Sequence, residues 1–425
     1  MLLIYRCFIN ILFPVIVIII FVRKFINKEH KIRFKEKLFL SSLNGKKKSK
    51  ILIWFHASSI GELKSIIPLI KKINEKNNFE FLITTVTLSS SQLMSENFLN
   101  TYNITHRFFP IDRPKLINKF LDNWSPNLAI FVDSEIWPNF LLEIKKRKIP
   151  LVLLNGRITK RTFLKWNFIK KSAEKIFKTF DLCLPSSNES KKNLEKLNVK
   201  NIKYFGNLKF TSENEEKFFN EKSNKFLYKS KFWCAASTHK QEDIFCLKTH
   251  INIKKIYKNI ISIIIPRHTD RAQYIHSLCK KLELKSQVLS SNEPIDQSKE
   301  IIIINSYGVM TKYLRLCKSV FIGKSLIKEL ETDGGQNPIE AAKIGCKIYH
   351  GPYVYNFQEV YELLNKYQIA EKINNEDELS YKLIGDLNNT DEIRLENTKK
   401  INLLGKRILN ETYNEIIDLL NNESS

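Results

Sequence analysis

The sequence predicts an α/β protein in which two Rossmann-like domains, joined by a charged linker, follow an apolar N-terminal segment. Three observations predict it. From residue 51 to residue 352, short apolar runs alternate with amphipathic helical patterns, as parallel strands buried on both faces require. The alternation breaks once, over the polar, charge-dense residues 212–231, and then restarts. A chain of 425 residues also exceeds one ordinary core, whereas two domains of roughly 150–200 residues accommodate it.

The first element is the apolar one. Residues 8–22, "FINILFPVIVIIIFV", contain no charge. As a helix they would span about 22 Å, short of the roughly 30 Å of a bilayer core unless flanking residues contribute. No small-residue cleavage site follows, so a cleaved signal peptide is not expected. Residues 23–50 carry 11 Lys/Arg against 2 Asp/Glu, which predicts a cytoplasmic location for the rest and attraction to anionic lipid. We assign residues 1–24 as a membrane anchor. The competing assignment is a buried helix, and Pro14 and Asn10 count against a clean span.

The domain at 25–211 is expected to contain six strands, at 51–57, 79–87, 127–135, 149–157, 180–187 and 201–209. A linker occupies 212–231. The domain at 232–425 is expected to contain strands at 232–238, 260–266, 287–291, 300–306, 319–323 and 346–352, with a helical polar end from residue 375. Ligands of open α/β sheets sit beyond the carboxyl ends of the strands, so the residues just after each run are the ones to inspect.

Composition narrows the chemistry. Sixty-nine basic against 44 acidic residues give a net charge of +25, a field that attracts anions such as phosphorylated small molecules, anionic lipid or nucleic acid. Nucleic-acid binding would call for aromatics interleaved with Lys/Arg or a recognisable module, and neither is present. The seven cysteines are odd in number and form no CxxC pair, so neither a disulfide framework nor a zinc site is expected. The eight histidines form no HxxxH or HExxH pair, so no structural metal is expected.

Each candidate motif has two explanations. In "FHASSIGELKS" (55–65), Ser59-Ile60-Gly61-Glu62 fits a capping box, with Ser59 and Glu62 satisfying helix N–H groups. Glu62 also follows a strand and a glycine, where a general base could meet a ligand. In "DSEIWPN" (133–139), Asp133 and Glu135 are either a solvated strand end or the second carboxylates of a shared site, before a helix begun by Pro138. Lys209, in "FGNLKF", is either solvated or placed to stabilise negative charge.

In the second half, Arg267 and His268 of "IPRHTDR" suit a phosphate or a plain surface loop. "SYGVMTKY" (306–313) offers turn amides. "ETDGGQNPIEAAKIG" (331–345) combines two glycines with a helix start and Glu340, suited to an anion and ribose hydroxyls or simply to a glycine loop. It is neither G-x-G-x-x-G nor a Walker A sequence, which disfavours a dehydrogenase or an NTPase.

Taken in order, "HASSIGE", "SEIWPN", "NGRIT", "GNLKF", "AASTH", "PRH", "GGQNPIE" and "GPYVYNF" resemble the 3-deoxy-D-manno-octulosonic acid (Kdo) transferases of lipid A assembly, over residues 50 to about 370. The resemblance implies a GT-B fold, two Rossmann-like domains facing a cleft, working without metal or cofactor at the cytoplasmic face of the inner membrane. It implies CMP-Kdo as donor and a tetraacyl lipid A precursor as acceptor. It implies Glu62 as general base, with Glu135 and Lys209 stabilising the transition state. CMP is expected on residues matching Pro266 and Arg267, on Gly308, Val309 and Met310, and on Asn337, Pro338, Ile339 and Glu340. Two departures stand out: Gln336 replaces an expected His, and Lys324 an expected Gly. A hydrophobic and basic acceptor surface is expected between the anchor and the first domain's cleft. The alternatives are a membrane-tethered GT-B enzyme using another nucleotide sugar, a tethered nucleic-acid-binding protein and an inactive scaffold.

Overall fold

A computed structural model describes residues 2–43, 50–75, 78–98, 103–212, 221–290, 293–388 and 392–422. The chain forms two compact units. One comprises Met1–Glu213 together with Gly405–Ser425, and the other Asn214–Leu404. The expected domain 232–425 is therefore divided at its end: a helix from Glu392 to Asn422 begins in the second unit and finishes in the first. Part of the expected linker, residues 213–220, lies outside the described residues. Glu221–Lys229 is helical and belongs to the second unit.

The first unit is built on six strands: β1 (Ile51–His56), β2 (Phe79–Thr85), β3 (Ile104–Phe108), β4 (Leu128–Val132), β5 (Leu151–Gly156) and β6 (Leu182–Pro185). All pair in parallel, in the order β3-β2-β1-β4-β5-β6. That order reverses direction between β1 and β4, the point where an α/β sheet opens a ligand crevice. Trp54 of β1 is fully buried, its ring 5.0, 5.2 and 5.7 Å from those of Phe120, Phe131 and Phe140. The helix Pro114–Trp124 shows how such a layer forms. Proline opens it, Leu116, Ile117, Phe120, Leu121 and Trp124 recur on one face, and Ser125 closes it at a left-handed φ of 36°.

The structure differs from the sequence expectation at two places here. Residues 201–209 are not a strand: only Ile202 bridges to Cys183, and Leu208–Thr211 form a 3-10 turn capped by Asn207. Gly206, at φ 123°, lies against Ile408 of the C-terminal helix and turns the chain away from the sheet. Conversely, β3 was not expected. It is an edge strand with alternating burial, covered by the turn Arg33–Lys37. Arg33 donates to the His106 carbonyl at 2.9 Å, and the Phe108 N–H donates to Glu36 at 2.8 Å.

The N-terminal segment is one helix, Leu2–Phe25, about 36 Å long and longer at both ends than the apolar run. One side is tied to the first unit. The Tyr5 hydroxyl donates to Asp112 at 2.8 Å, Arg6 to Asn139 at 2.9 Å and Arg113 to Asn10 at 3.0 Å. The other side exposes Ile4, Phe8, Ile11, Val15, Ile18 and Val22, a helical stripe. Some of the basic excess after the helix is used internally, since Lys37 pairs with Glu29 at 2.5 Å and both are buried.

The second unit holds β7 (Phe232–Thr238), β8 (Ile261–Pro266), β9 (Ser286–Leu289), β10 (Ile301–Ile304), β11 (Ser319–Ile322), β12 (Lys347–His350) and β13 (Ala370–Lys372). The order is β13-β12-β11-β7-β8-β10-β9, all parallel, with its reversal between β7 and β11. Three-residue β13, with only its first residue buried, left no pattern to detect.

Candidate active site

In the first unit the sheet's reversal point brings carboxylates together. β1 ends at His56, which pairs in register with Phe131 of β4, so the loops after both strands leave the same edge side by side. The helix after β1 starts at Ile60 with Ser59 as its cap. Glu62 accepts from the Ser58 N–H at 2.7 Å and the Ser59 hydroxyl at 2.8 Å. The capping geometry is thus present. Burial pushes the Glu62 carboxyl up to about 7, with the charges of Asp133 and Glu135 adding to it and the two serine bonds opposing it. A carboxyl poised there can take a proton near neutrality.

Glu135 is treated oppositely. Burial alone would raise it, but donors from His56, Trp137 and Ser58 outweigh that and hold it below the usual carboxylate range. Trp137 Nε1 donates at 2.7 Å, and His56 Nε2 lies at 3.1 Å. His56 is fully buried, stacked 3.7 Å from Phe109, with Nδ1 3.0 Å from the Thr84 hydroxyl. Ser58 therefore contacts both carboxylates, its N–H on Glu62 and its side chain on Glu135.

Lys209 stands on the 3-10 turn and donates to Asp133 at 3.2 Å. Asp133 sits at φ 62° just after β4, and its carboxylate is mostly covered. Asn155 of β5 fixes the turn by accepting from the Leu208 N–H at 2.8 Å. Glu62, Glu135 and Lys209 thus belong to one group. His56, Ser58, Asp133 and Asn155 complete it, though the sequence had not singled out the first, second or fourth. The available signal for His56 was a polar residue closing an otherwise apolar buried strand. Asp112 links this edge to the N-terminal helix: it accepts from Tyr5, from the Asn139 N–H at 3.1 Å and from the Phe140 N–H at 2.9 Å.

In the second unit the expected residues occupy three neighbouring loops at the carboxyl edge. Pro266 is buried at the end of β8, and Arg267 is exposed, its N–H held by the Thr238 carbonyl at 3.1 Å. The rings of His268 and His239 lie 6.0 Å apart, and Lys324 and Arg271 add positive charge around His239. Gly308 takes φ 75°, Val309 precedes the helix Met310–Leu316, and the Thr311 hydroxyl donates to Glu340. That bond joins the 308–310 and 337–340 segments.

In the 331–345 stretch the two glycines serve packing within the chain, and the Gly335 N–H already donates to the Lys324 carbonyl at 2.6 Å. An added Cβ would fall 2.4 Å from the Tyr353 carbonyl oxygen or 2.9 Å from Val354 Cα, so close chain packing demands the glycines. The helix they precede, Ile339–Ile344, has only six residues and a correspondingly small dipole, and the Asn337 side chain already accepts its first N–H at 3.1 Å. Lys324, at φ 57°, shows why glycine was expected there. Its N–H, with those of His239, Ser325 and Leu326, donates to the buried Glu242 at 2.7–3.1 Å, which locks the loops after β7 and β11 together.

The fold is of the GT-B type. It is similar to the crystal structure of a glycosyltransferase from Rickettsia africae (TM-score 0.56, 12% identity, covering 87% of this chain and 99% of that one). It is also similar to a structure of UDP-N-acetylglucosamine 2-epimerase (TM-score 0.53, 12% identity, 85% and 95%). Residues 32–212 match the family model described as 3-deoxy-D-manno-octulosonic-acid transferase (kdotransferase). Over 416 residues the chain is 30% identical to the 3-deoxy-D-manno-octulosonic acid transferase of Rickettsia bellii, covering 96% of each. It is 27% identical over 382 residues to that of Haemophilus influenzae, covering 87% of this chain and 86% of the relative. The chain belongs to the Kdo transferase family and is a glycosyltransferase.

Proposed function

We propose that this protein transfers Kdo from CMP-Kdo to a tetraacyl lipid A precursor, with inversion and with Glu62 as general base. The observation that carries the proposal is Glu62 itself: a carboxyl raised to about 7 by burial, held by Ser58 and Ser59 at the sheet's reversal point. The acceptor hydroxyl attacks the anomeric carbon of Kdo as the bond to the CMP phosphate oxygen breaks. Its proton passes to Glu62, and CMP leaves with the bonding pair. One displacement inverts the centre and needs no covalent carboxylate.

Glu135, kept ionised by its donors, stabilises positive charge growing at the sugar. Lys209, steered by Asp133, meets the negative groups of the substrates. Arg267, Gly308, Val309, Met310, Asn337, Pro338, Ile339 and Glu340 hold CMP, with Pro266 placing Arg267. The test is turnover of CMP-Kdo with the tetraacyl acceptor, read by mass spectrometry, alongside other nucleotide sugars. Product from another sugar alone, or from none, defeats the substrate assignment.

The enzyme works at the cytoplasmic face of the inner membrane. Its N-terminal helix lies in the interface: the polar side chains Tyr5, Arg6 and Asn10 hold it to the first unit, and the opposite stripe enters the lipid. Ile11→Asp with Ile18→Asp is expected to abolish binding to anionic vesicles, and retained binding would overturn the assignment.

A further inference from the structure

A groove of ≈ 420 Å³ lies between the N-terminal helix and the first unit. Its wall is formed by Leu2, Phe8, Ile136, Trp137, Trp166 and Ile169, and volumes of this order suit small apolar ligands. Three features indicate an occupant. First, Ile4 and Phe8 line the groove and also belong to the exposed stripe, so the groove is continuous with the surface assigned to lipid. Leu164 and Phe168, on the helix that supplies Trp166, are exposed as well. Second, Trp137 joins the groove to the reaction centre: its ring lines the wall while its Nε1 donates to Glu135 at 2.7 Å. Third, the helices Lys160–Phe168 and Lys170–Phe177, which supply Trp166 and Ser172 to the wall on either side of Ile169, expose Lys160, Arg161, Lys165, Lys170, Lys171 and Lys175. An apolar slot beside a basic rim matches a phosphorylated lipid, with chain in the slot and anionic headgroup on the rim.

We propose that this groove binds an acyl chain of the acceptor and thereby sets its hydroxyl near Glu62 and Glu135. The assignment rests on the lipid-acceptor reading above, and it makes the N-terminal helix part of the substrate site as well as an attachment. A chain held here couples the position of the sugar hydroxyl to the length of the chain behind it.

Ser172 lines the groove without belonging to the catalytic group, so Ser172→Trp fills the slot from its wall and Ser172→Glu places a charge in it. The measurement is acceptor KM for the long-chain tetraacyl precursor and for the same disaccharide with short chains, in detergent. Vesicle binding to phosphatidylglycerol–phosphatidylethanolamine membranes and thermal melting are measured in parallel. Each variant is expected to raise the long-to-short KM ratio about tenfold or more. A ratio within about twofold of wild type in either variant that melts normally overturns the proposal. So does a loss of vesicle binding equal to the rise in KM, because the groove would then be only membrane contact. Wild type inactive on every lipid acceptor defeats the substrate assignment first, before any variant is compared.

Discussion

Replacing Glu62 with glutamine separates its two roles, because the shape and one acceptor remain while the base is lost. Proton transfer by a positioned side chain contributes 10²–10⁴-fold, so kcat is expected to fall at least about 10²-fold. Stability is expected to move the other way. In the folded chain Glu62 keeps its proton to about 7, against 4.5 for the ordinary group. Between those values the folded state binds more protons than the unfolded one. Wild-type stability therefore falls as pH rises through that window and stays lower above it. The shift corresponds to about 3 kcal/mol at 1.36 kcal/mol per unit, and partial solvent exposure of Glu62 reduces it to roughly 1–2 kcal/mol. Glutamine does not titrate. Glu62→Gln should thus be more stable than wild type at pH 8 by about 1–2 kcal/mol, with the gain gone near pH 4.5. Urea unfolding at the two pH values measures this. Wild-type kcat/KM should fall about tenfold per unit below pH 7. A Glu62→Gln enzyme within tenfold of wild type, or an acid limb near 4.5, would refute the assignment.

Substitutions at four other positions test the remaining parts. Lys209→Met removes the cation paired with Asp133 and should lower kcat/KM by about 10²-fold with melting nearly unchanged; an equal loss in both would make Lys209 structural. Glu242→Ala leaves four N–H groups without their acceptor and should cost about 3 kcal/mol or more in denaturant unfolding, so a normal midpoint counts against the lock between the two loops. Lys324→Gly should alter stability by less than about 1 kcal/mol, whereas Lys324→Val, branched at a left-handed position, should cost about 2 kcal/mol; equal effects would contradict strain there. Gly405→Ala puts a Cβ 2.6 Å from the Phe210 carbonyl oxygen, displacing the turn that holds Lys209, and should lower kcat about tenfold without unfolding; full activity would show that the turn's placement is not critical.

The central strands were legible because burial on both faces leaves unbroken apolar runs such as residues 51–55 and 128–132, and the polar residues that end them mark the sheet edge. Glu62 and Glu135 could be found that way. Residues 104–108 alternate half-buried with buried, interrupted by His106 and Arg107, and so resemble loop until the Arg33–Lys37 turn covers them. Lys209 was found by position after an apolar run, but that run is a capped turn. Its partner Asp133 lies 76 positions earlier in the chain, a separation that no local pattern reports. The glycines at 334 and 335 signalled close approach correctly, yet the approaching group is the chain at Tyr353–Val354. Nothing in the polar periodicity of the last helix indicated that Gly405 onward returns to the first unit.

That return has a consequence for how the protein is made. When the ribosome has finished residue 213, every strand of the first sheet and the carboxylates Glu62, Asp133 and Glu135 have been synthesised. Yet the part of the last helix that packs Ile408 on Gly206, brings Gly405 against Phe210 and pairs Glu415 with Lys203 follows only after the whole of residues 214–404. The second unit, contiguous in sequence, is complete first. A premature stop near codon 404 would therefore spare the unit translated late and leave the unit of the proposed base, begun first, without its final strut.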